Sequence, residues 1–146
     1  MNTNKLLVGG IIGGIANFIL GFLVWGLALM GFFKDHTTDI GKTVMRKDAN
    51  GEDSMIWWSL IAANLLSGLL LSYILNKAGA MSASAGAGIG AVVGLLLSAT
   101  INLFNYSFMD MSDMTAMVVD IAAGTVVTAI VGGIIGWYLG MGKKTA

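Results

Sequence analysis

Hydrophobic residues along the chain fall into four long, nearly uncharged blocks, and the polar residues between them form shorter segments. Each block exceeds the roughly 20 apolar residues that cross the hydrocarbon core of a bilayer as a helix. The pattern therefore predicts an all-α membrane protein with four transmembrane helices. Their predicted bounds are Leu6–Phe33, Met55–Asn76, Ala85–Phe108 and Met114–Met141.

The connections between the blocks predict how the helices are arranged. The polar segment 34–54 is the only sizeable one, and its Asn50-Gly51 pair is typical of a turn. The other two connections, 77–84 and 107–113, are short, and short connections favour antiparallel neighbours. We therefore predict an up-down-up-down bundle, built as two tandem helical hairpins.

Composition supports a membrane protein and excludes several other classes. Hydrophobic residues make up 56% of the 146 residues and charged residues 11%, so we predict a single membrane domain over 1–146 with the lipid bilayer as its main surroundings. Eight basic and eight acidic side chains balance, which argues against a nucleic-acid partner. Cysteine is absent, which excludes disulfides and thiolate ligands. The first apolar run reaches Phe33, too far for a signal peptide, and predicts a retained span.

Lysine and arginine are divided equally between the two ends of the predicted bundle. The positive-inside rule, which places the more basic side in the cytoplasm, therefore favours neither orientation. Seven acids on the loop side favour cytoplasmic termini in a bacterial inner membrane. Acids count for little in this rule, so the tie also permits insertion in both orientations. The cations are Lys5, Lys77, Lys143 and Lys144 on the terminal side, and Lys34, Lys42, Arg46 and Lys47 on the loop side.

Every predicted span carries small or polar residues at intervals of four. Residues four apart share a helix face, and glycine on that face lets two backbones approach closely. These stripes predict tight helix packing, against a neighbouring helix or against another subunit. They are Gly9, Gly13, Asn17 and Gly21; Asn64, Gly68, Ser72 and Asn76; Gly86, Gly90, Gly94, Ser98 and Asn102; and Ala116, Asp120, Gly124, Thr128, Gly132, Gly136 and Gly140.

The stripes also align between the two halves of the chain, which suggests two related hairpins. A repeat of this kind would be parallel, with its axis along the membrane normal. In the alignment, Asn64, Gly68 and Ser72 match Asp120, Gly124 and Thr128, and Gly13, Asn17 and Phe18 match Ser98, Asn102 and Leu103.

Asp120 is the only ionisable residue well inside a predicted span, about 9 Å past the start of the fourth helix. A charge near the bilayer centre costs about 2.5–3.5 kcal/mol, so such a residue suggests a functional site. Asn102 lies at a similar depth, and Asn17 and Asn64 both lie near mid-bilayer. We therefore predict one hydrogen-bonded pair in each hairpin, Asn102 with Asp120 and Asn17 with Asn64.

Two roles are compatible with these polar groups. They fasten helices together, at about 0.6 kcal/mol per pair on average, or Asp120 takes up a proton or cation along a polar pathway. The residues of this candidate intramembrane site are Asp120, Asn102, Asn105, Asn17, Asn64 and Thr128.

No catalytic or metal-binding constellation is predicted. His36 is the sole histidine and, beside Asp35, cannot complete a metal site. The serines have no partners in a local catalytic signature. The glycine-rich segment 86–90 lacks the preceding strand of a dinucleotide fingerprint. We therefore expect no enzyme activity, no metal and no cofactor.

Several segments of the last two blocks, together with glycine and aromatic residues late in the first, resemble the bacterial and fungal membrane family known as domain of unknown function seventeen sixty-one. The segments are 102–104 (Asn-Leu-Phe), 109–110 (Met-Asp), 119–121 (Val-Asp-Ile) and 131–137 (Val-Gly-Gly-Ile-Ile-Gly-Trp). The tryptophan-tyrosine pair of that family's first helix is reduced here to Trp25. The resemblance implies four spans over nearly the whole chain and brings no established activity.

Two functional hypotheses follow. In the first, glycine stripes drive homo-oligomerisation or pairing with an unidentified membrane protein, and the chain is a scaffold or partner subunit. In the second, it is a minimal oligomeric transporter or channel for a proton, ion or small solute, with Asp120 in the pathway. If helix contacts occupy the whole of each stripe, the scaffold is favoured. If polar residues form a continuous path through the assembled helices, transport is favoured.

Overall fold

The computed structural model describes residues 3–141, so Lys143 and Lys144, used above in the orientation argument, lie outside the described residues. This part of the chain is helical and holds no β-strand, only two isolated bridges. The elements are α1 (Thr3–Gly21), a π-helical segment (Phe22–Ala28) that continues it, α2 (Met30–Asp35), α3 (Asp39–Val44), α4 (Trp57–Lys77), α5 (Ala83–Phe108) and α6 (Met114–Gly140).

Four helical stretches are long and apolar enough to cross a membrane, which confirms the all-α, four-span fold. Three of them begin and end within two residues of the predicted bounds. The first differs: it runs from Thr3 to Ala28 and does not reach Phe33. Leu29 leaves helical geometry, with φ −106° and ψ 2°, and its N–H bonds to the Val24 carbonyl five residues back. Hydrophobicity alone does not mark such a break, because the apolar run continues through it.

Local sequence signals set the other helix ends. The side chains of Thr38, Ser82 and Asp113 each accept a hydrogen bond from the backbone N–H three residues later, which caps α3, α5 and α6. After α4, Gly79 adopts φ +68°, and the N–H of Ala80 bonds back into the helix. A residue with a Cβ rarely adopts that conformation, so glycine here turns the chain directly into the next hairpin.

The four spans pack as two hairpins. In the first, α1 lies against α4, and in the second α5 lies against α6 along nearly its full length. The hairpins meet mainly where α6 contacts α1 and α4, whereas α4 and α5 touch only slightly. The described core is concentrated in the half of the bundle nearer the termini. Its most buried large side chains are Leu75, Val131, Ile135 and Leu139.

The second hairpin is joined by its two glycine stripes in one continuous antiparallel register. A Cβ placed on Gly86 would lie 2.9 Å from the carbonyl carbon of Gly132. A Cβ placed on Gly90 would lie 3.2 Å from the Cα of Gly132. Gly94 faces Thr128 in the same way, and Gly124 faces Ser98. Each step of four along α5 is matched by a step of four along α6. The obstructing atoms are mostly backbone, so these contacts need glycine on at least one helix. Gly136 and Gly140 extend the contact to Ser82 and Met81, just before α5.

The first hairpin uses two adjacent glycine pairs on α1. Gly9 and Gly13 face the groove between α4 and α6, while Gly10 and Gly14 press on the α4 backbone, with an added Cβ 2.9 Å from the Cα of Leu69 and 2.8 Å from that of Leu65 respectively. On α4, Gly68 lies against the α1 backbone at Gly10, Gly13 and Gly14.

Two departures from the predicted stripe follow. Gly21 is not a packing position, because a Cβ there would meet only the Trp25 ring, at 3.9 Å. Gly10 and Gly14 are close-packing positions outside the predicted stripe. They are needed because α1 contacts two helices and therefore requires a wider glycine face.

Candidate functional site

Asp120 is held by two hydrogen-bond donors from different parts of the chain. Asn102 Nδ2–H donates to Asp120 Oδ2 at 2.7 Å, which confirms the predicted pair in the second hairpin. The other carboxylate oxygen, Oδ1, accepts from the indole Nε1–H of Trp25 at 2.6 Å. Both Asp120 and Trp25 are half-buried. The site therefore joins α5 and α6 to the first span.

Trp25 belongs to this candidate site by its hydrogen bond to Asp120, and the sequence did not predict it there. It lies four residues after Gly21 and so continues the stripe of α1, but it is carried by the π-helical segment. A π-turn is rare and often marks a functional position. The available signal was the side chain itself, because a Trp at membrane depth needs a partner for its N–H.

The second predicted pair is also confirmed. Asn17 Nδ2–H donates to Asn64 Oδ1 at 2.7 Å, and Asn64 donates in turn to the Leu60 carbonyl at 2.8 Å. In the alignment of the two halves, Asn17 corresponds to Asn102 and Asn64 to Asp120. Each hairpin thus has one polar pair at corresponding stripe positions, and only the second pair contains an ionisable group.

A cavity of about 290 Å³ opens beside Asp120 towards the polar loops. Asn102 and Asn105 line it from α5. The short segments at the loop end of the bundle form its roof, and four methionines contribute to its walls. These loop and methionine residues are Thr37, Met45, Met109, Met111, Ser112 and Met117.

The roof is fixed by hydrogen bonds between two loop segments. Thr38 N–H donates to the Met111 carbonyl at 3.0 Å, and its hydroxyl donates to the Asp110 carbonyl at 2.5 Å. Asp113 N–H donates to the His36 carbonyl at 3.2 Å. Gly41 is buried against the Met111 carbonyl, where a Cβ would clash. The first polar loop is thereby docked over the end of the second hairpin.

A second cavity, of about 190 Å³, lies deeper in the bundle between the two hairpins. Asn17, Ser98 and Thr128 provide polar groups on its lining. Asn102, which lines the first cavity, donates to the Ser98 carbonyl at 3.0 Å. The candidate residues are therefore divided between the two cavities. Asp120, Asn102 and Asn105 line the first, and Asn17 and Thr128 line the second. Asn64 does not line the second cavity but accepts a hydrogen bond from Asn17, which does.

Sequence comparison places the chain in a family. A family model described as a protein of unknown function (DUF1761) matches residues 8–136. The chain belongs to the DUF1761 family. This confirms the resemblance noted from the sequence, and the matched range includes Trp25, Asn102 and Asp120. No curated protein and no solved structure matches the chain.

In this DUF1761 member, the candidate site around Asp120 lies beside a charged cavity at the loop end, here called the vestibule. This third cavity, of about 320 Å³, shares Thr37 and Met45 with the first and is lined by Lys34, Lys42, Lys47 and Asp53. The hydrogen bond from Lys47 to Asp53, at 2.8 Å, lowers the pKa of the Asp53 carboxyl and raises that of the Lys47 ammonium. Within residues 3–141, the salt bridges lie in this loop and none involves Asp120.

Proposed function

We propose that this DUF1761 member is a minimal membrane carrier for a cation or another small solute, with Asp120 as the binding group. The observation that carries the proposal is the position of Asp120. It is a carboxylate at membrane depth, oriented by two neutral donors, and it borders a cavity that adjoins the loop vestibule.

The charge distribution supports a cation. Trp25 and Asn102 donate hydrogen bonds but bring no positive charge, and each carboxylate oxygen retains a further lone pair. Of the three lysines that line the vestibule, Lys42 and Lys47 are paired with Asp39 and Asp53, and only Lys34 has no salt bridge there. The loop side as a whole carries seven acids and four basic residues, so its net field attracts cations. A bound monovalent cation would neutralise Asp120 and remove the cost of a lone charge at that depth.

The polar groups also continue inward. On α5, Asn102 lines the loop-side cavity, and Ser98, one turn earlier, lines the deeper one. Beyond the deeper cavity, towards the termini, lie the fully buried side chains of Leu75, Ile135 and Leu139. This arrangement favours a carrier that must rearrange to release its solute over a permanently open channel.

The scaffold hypothesis has less support from the geometry. The glycine stripes that suggested self-association are largely occupied by contacts within one chain, whereas their polar ends border cavities. Homo-oligomerisation and an unidentified membrane partner stay predictions, and another face of the bundle would have to provide the contact.

The test is cation flux into proteoliposomes that contain the full chain. Asp120→Asn removes the charge and keeps the side-chain size, so we expect proton or monovalent-cation flux to fall to the level of empty liposomes. Glu52→Gln, which removes an acid that lines neither the loop-side cavity nor the vestibule, should keep the wild-type rate. Wild-type protein without flux, or Asp120→Asn with wild-type flux, would contradict the proposal.

A further inference from the structure

The loop-side cavity is unusually rich in methionine. The chain has ten methionines, and four of them occur between positions 109 and 117. Three of these four line the cavity beside Asp120, together with Met45 from the first polar loop. The fourth, Met114, does not line it, although its exposed fraction of 58% is close to the 53% of Met109.

We propose that this cavity binds a soft monovalent cation, Cu(I), through the thioether sulfurs of Met45, Met109, Met111 and Met117, with the Asp120 carboxylate as counter-charge. This inference rests on the proposed function and names its substrate class. Thioethers are soft, neutral ligands, and they select Cu(I) over the hard cations that oxygen ligands prefer.

The other donors near the cavity do not suit a different metal. Within the part of the chain that the structure describes, no group of three or more histidine, cysteine or acidic side chains could hold an ion. A divalent cation would leave net positive charge beside a single carboxylate. A monovalent ion on neutral sulfurs and one carboxylate forms a neutral assembly, which is the favourable charge state at membrane depth.

The fold brings these sulfurs together from three separate segments. Met117 lies on α6 one turn before Asp120, so both lie on one helix face. Met109 and Met111 lie in the connection between α5 and α6. Met45 comes from the end of α3, which is docked by the bonds from Thr38 to this connection. The docking contacts of the first loop thus complete the methionine set.

Silver provides the test, because Ag(I) is a soft monovalent cation that does not need a reductant. The full chain in lipid nanodiscs would be titrated with silver nitrate in chloride-free buffer, by calorimetry. The chain has no cysteine, so no thiol competes. We expect one Ag(I) per chain and a Kd raised about tenfold or more in Met111→Leu/Met117→Leu. Met114→Leu, the matched control, should bind as the wild type does.

A second measurement uses the unmodified chain and does not depend on the folding of a variant. With 13C-labelled methionine methyl groups, Ag(I) should shift the resonances of the four cavity methionines and leave Met81, at the terminal side, unchanged. Absent binding, an unchanged Kd in the double variant, an equal loss in Met114→Leu, or shifts that spare the cavity methionines would overturn the inference. Wild-type flux in Asp120→Asn would instead overturn the proposed function, because that variant keeps all four thioethers.

Discussion

Replacing Gly86 by alanine should lower the free energy of unfolding by about 2–3 kcal/mol, because the new methyl group has no room between α5 and α6. It would meet the backbone of Gly132 and lie 3.0 Å from the Cα of Gly136. Backbone cannot rotate away as a side chain can, so the two helices would have to separate locally. The separation would also weaken the dispersion contacts along the neighbouring steps of the stripe.

Gly88→Ala is the matched control, since Gly88 lies on the same helix and a Cβ there meets nothing within 4 Å. Both substitutions add one methyl group and change helix propensity equally, by roughly 0.5–1 kcal/mol in favour of alanine. The measurement is reversible unfolding in mixed micelles, followed by circular dichroism. Equal stabilities of the two variants would contradict the close α5–α6 contact.

Removing the indole N–H with Trp25→Phe should destabilise the bundle by about 1–2 kcal/mol, at the upper end for hydrogen bonds in membranes. The bond is short and its acceptor is a carboxylate, and such bonds are stronger than neutral ones. Phenylalanine keeps most of the aromatic volume, so the lost stability should come mainly from the missing hydrogen bond. Trp137→Phe is the control, because Trp137 is 59% exposed at the opposite end of the bundle.

A double-mutant cycle then tests whether the loss depends on Asp120. Trp25→Phe combined with Asp120→Ala, which removes both acceptor oxygens, should show a coupling free energy of about 1 kcal/mol. Additive losses would show that Trp25 contributes through packing alone, and the link between the first span and α6 at this site would have to be abandoned.

Much of the fold could be predicted because helix ends and contact faces have local signals. Hydropathy predicted both limits of three spans to within two residues. The caps at Ser82 and Asp113 are local signals too, but only the structure showed that they begin α5 and α6. Both polar pairs could be predicted as well, since depth and a spacing of four determine which side chains meet across a hairpin.

The remaining features depend on contacts between distant segments. The π-helical segment has no hydropathy signal, so neither the break at Leu29 nor the direction of Trp25 could be predicted. A spacing of four predicts a single stripe on α1, because the sequence does not show that α1 touches both α4 and α6. Gly10 and Gly14 were missed for that reason.

The sequence predicts no metal site when only histidine, cysteine and carboxylate side chains are considered as ligands. Methionine at positions 109–117 was visible in the sequence, but single thioethers are also common packing residues. What changes the interpretation is Met45, more than sixty residues away, which the docked loop brings to the same cavity. No spacing rule connects those segments.

Access from the loop side to the polar site at membrane depth can be tested directly, because the chain has no cysteine. In proteoliposomes, Asn102→Cys and Leu103→Cys would be compared for reaction with a membrane-impermeant thiol reagent added to the loop side. The two positions are adjacent, but Asn102 lines the cavity and Leu103 is exposed on the bundle surface. We predict labelling of Asn102→Cys and little labelling of Leu103→Cys. Equally low reactivity at both positions would contradict the account.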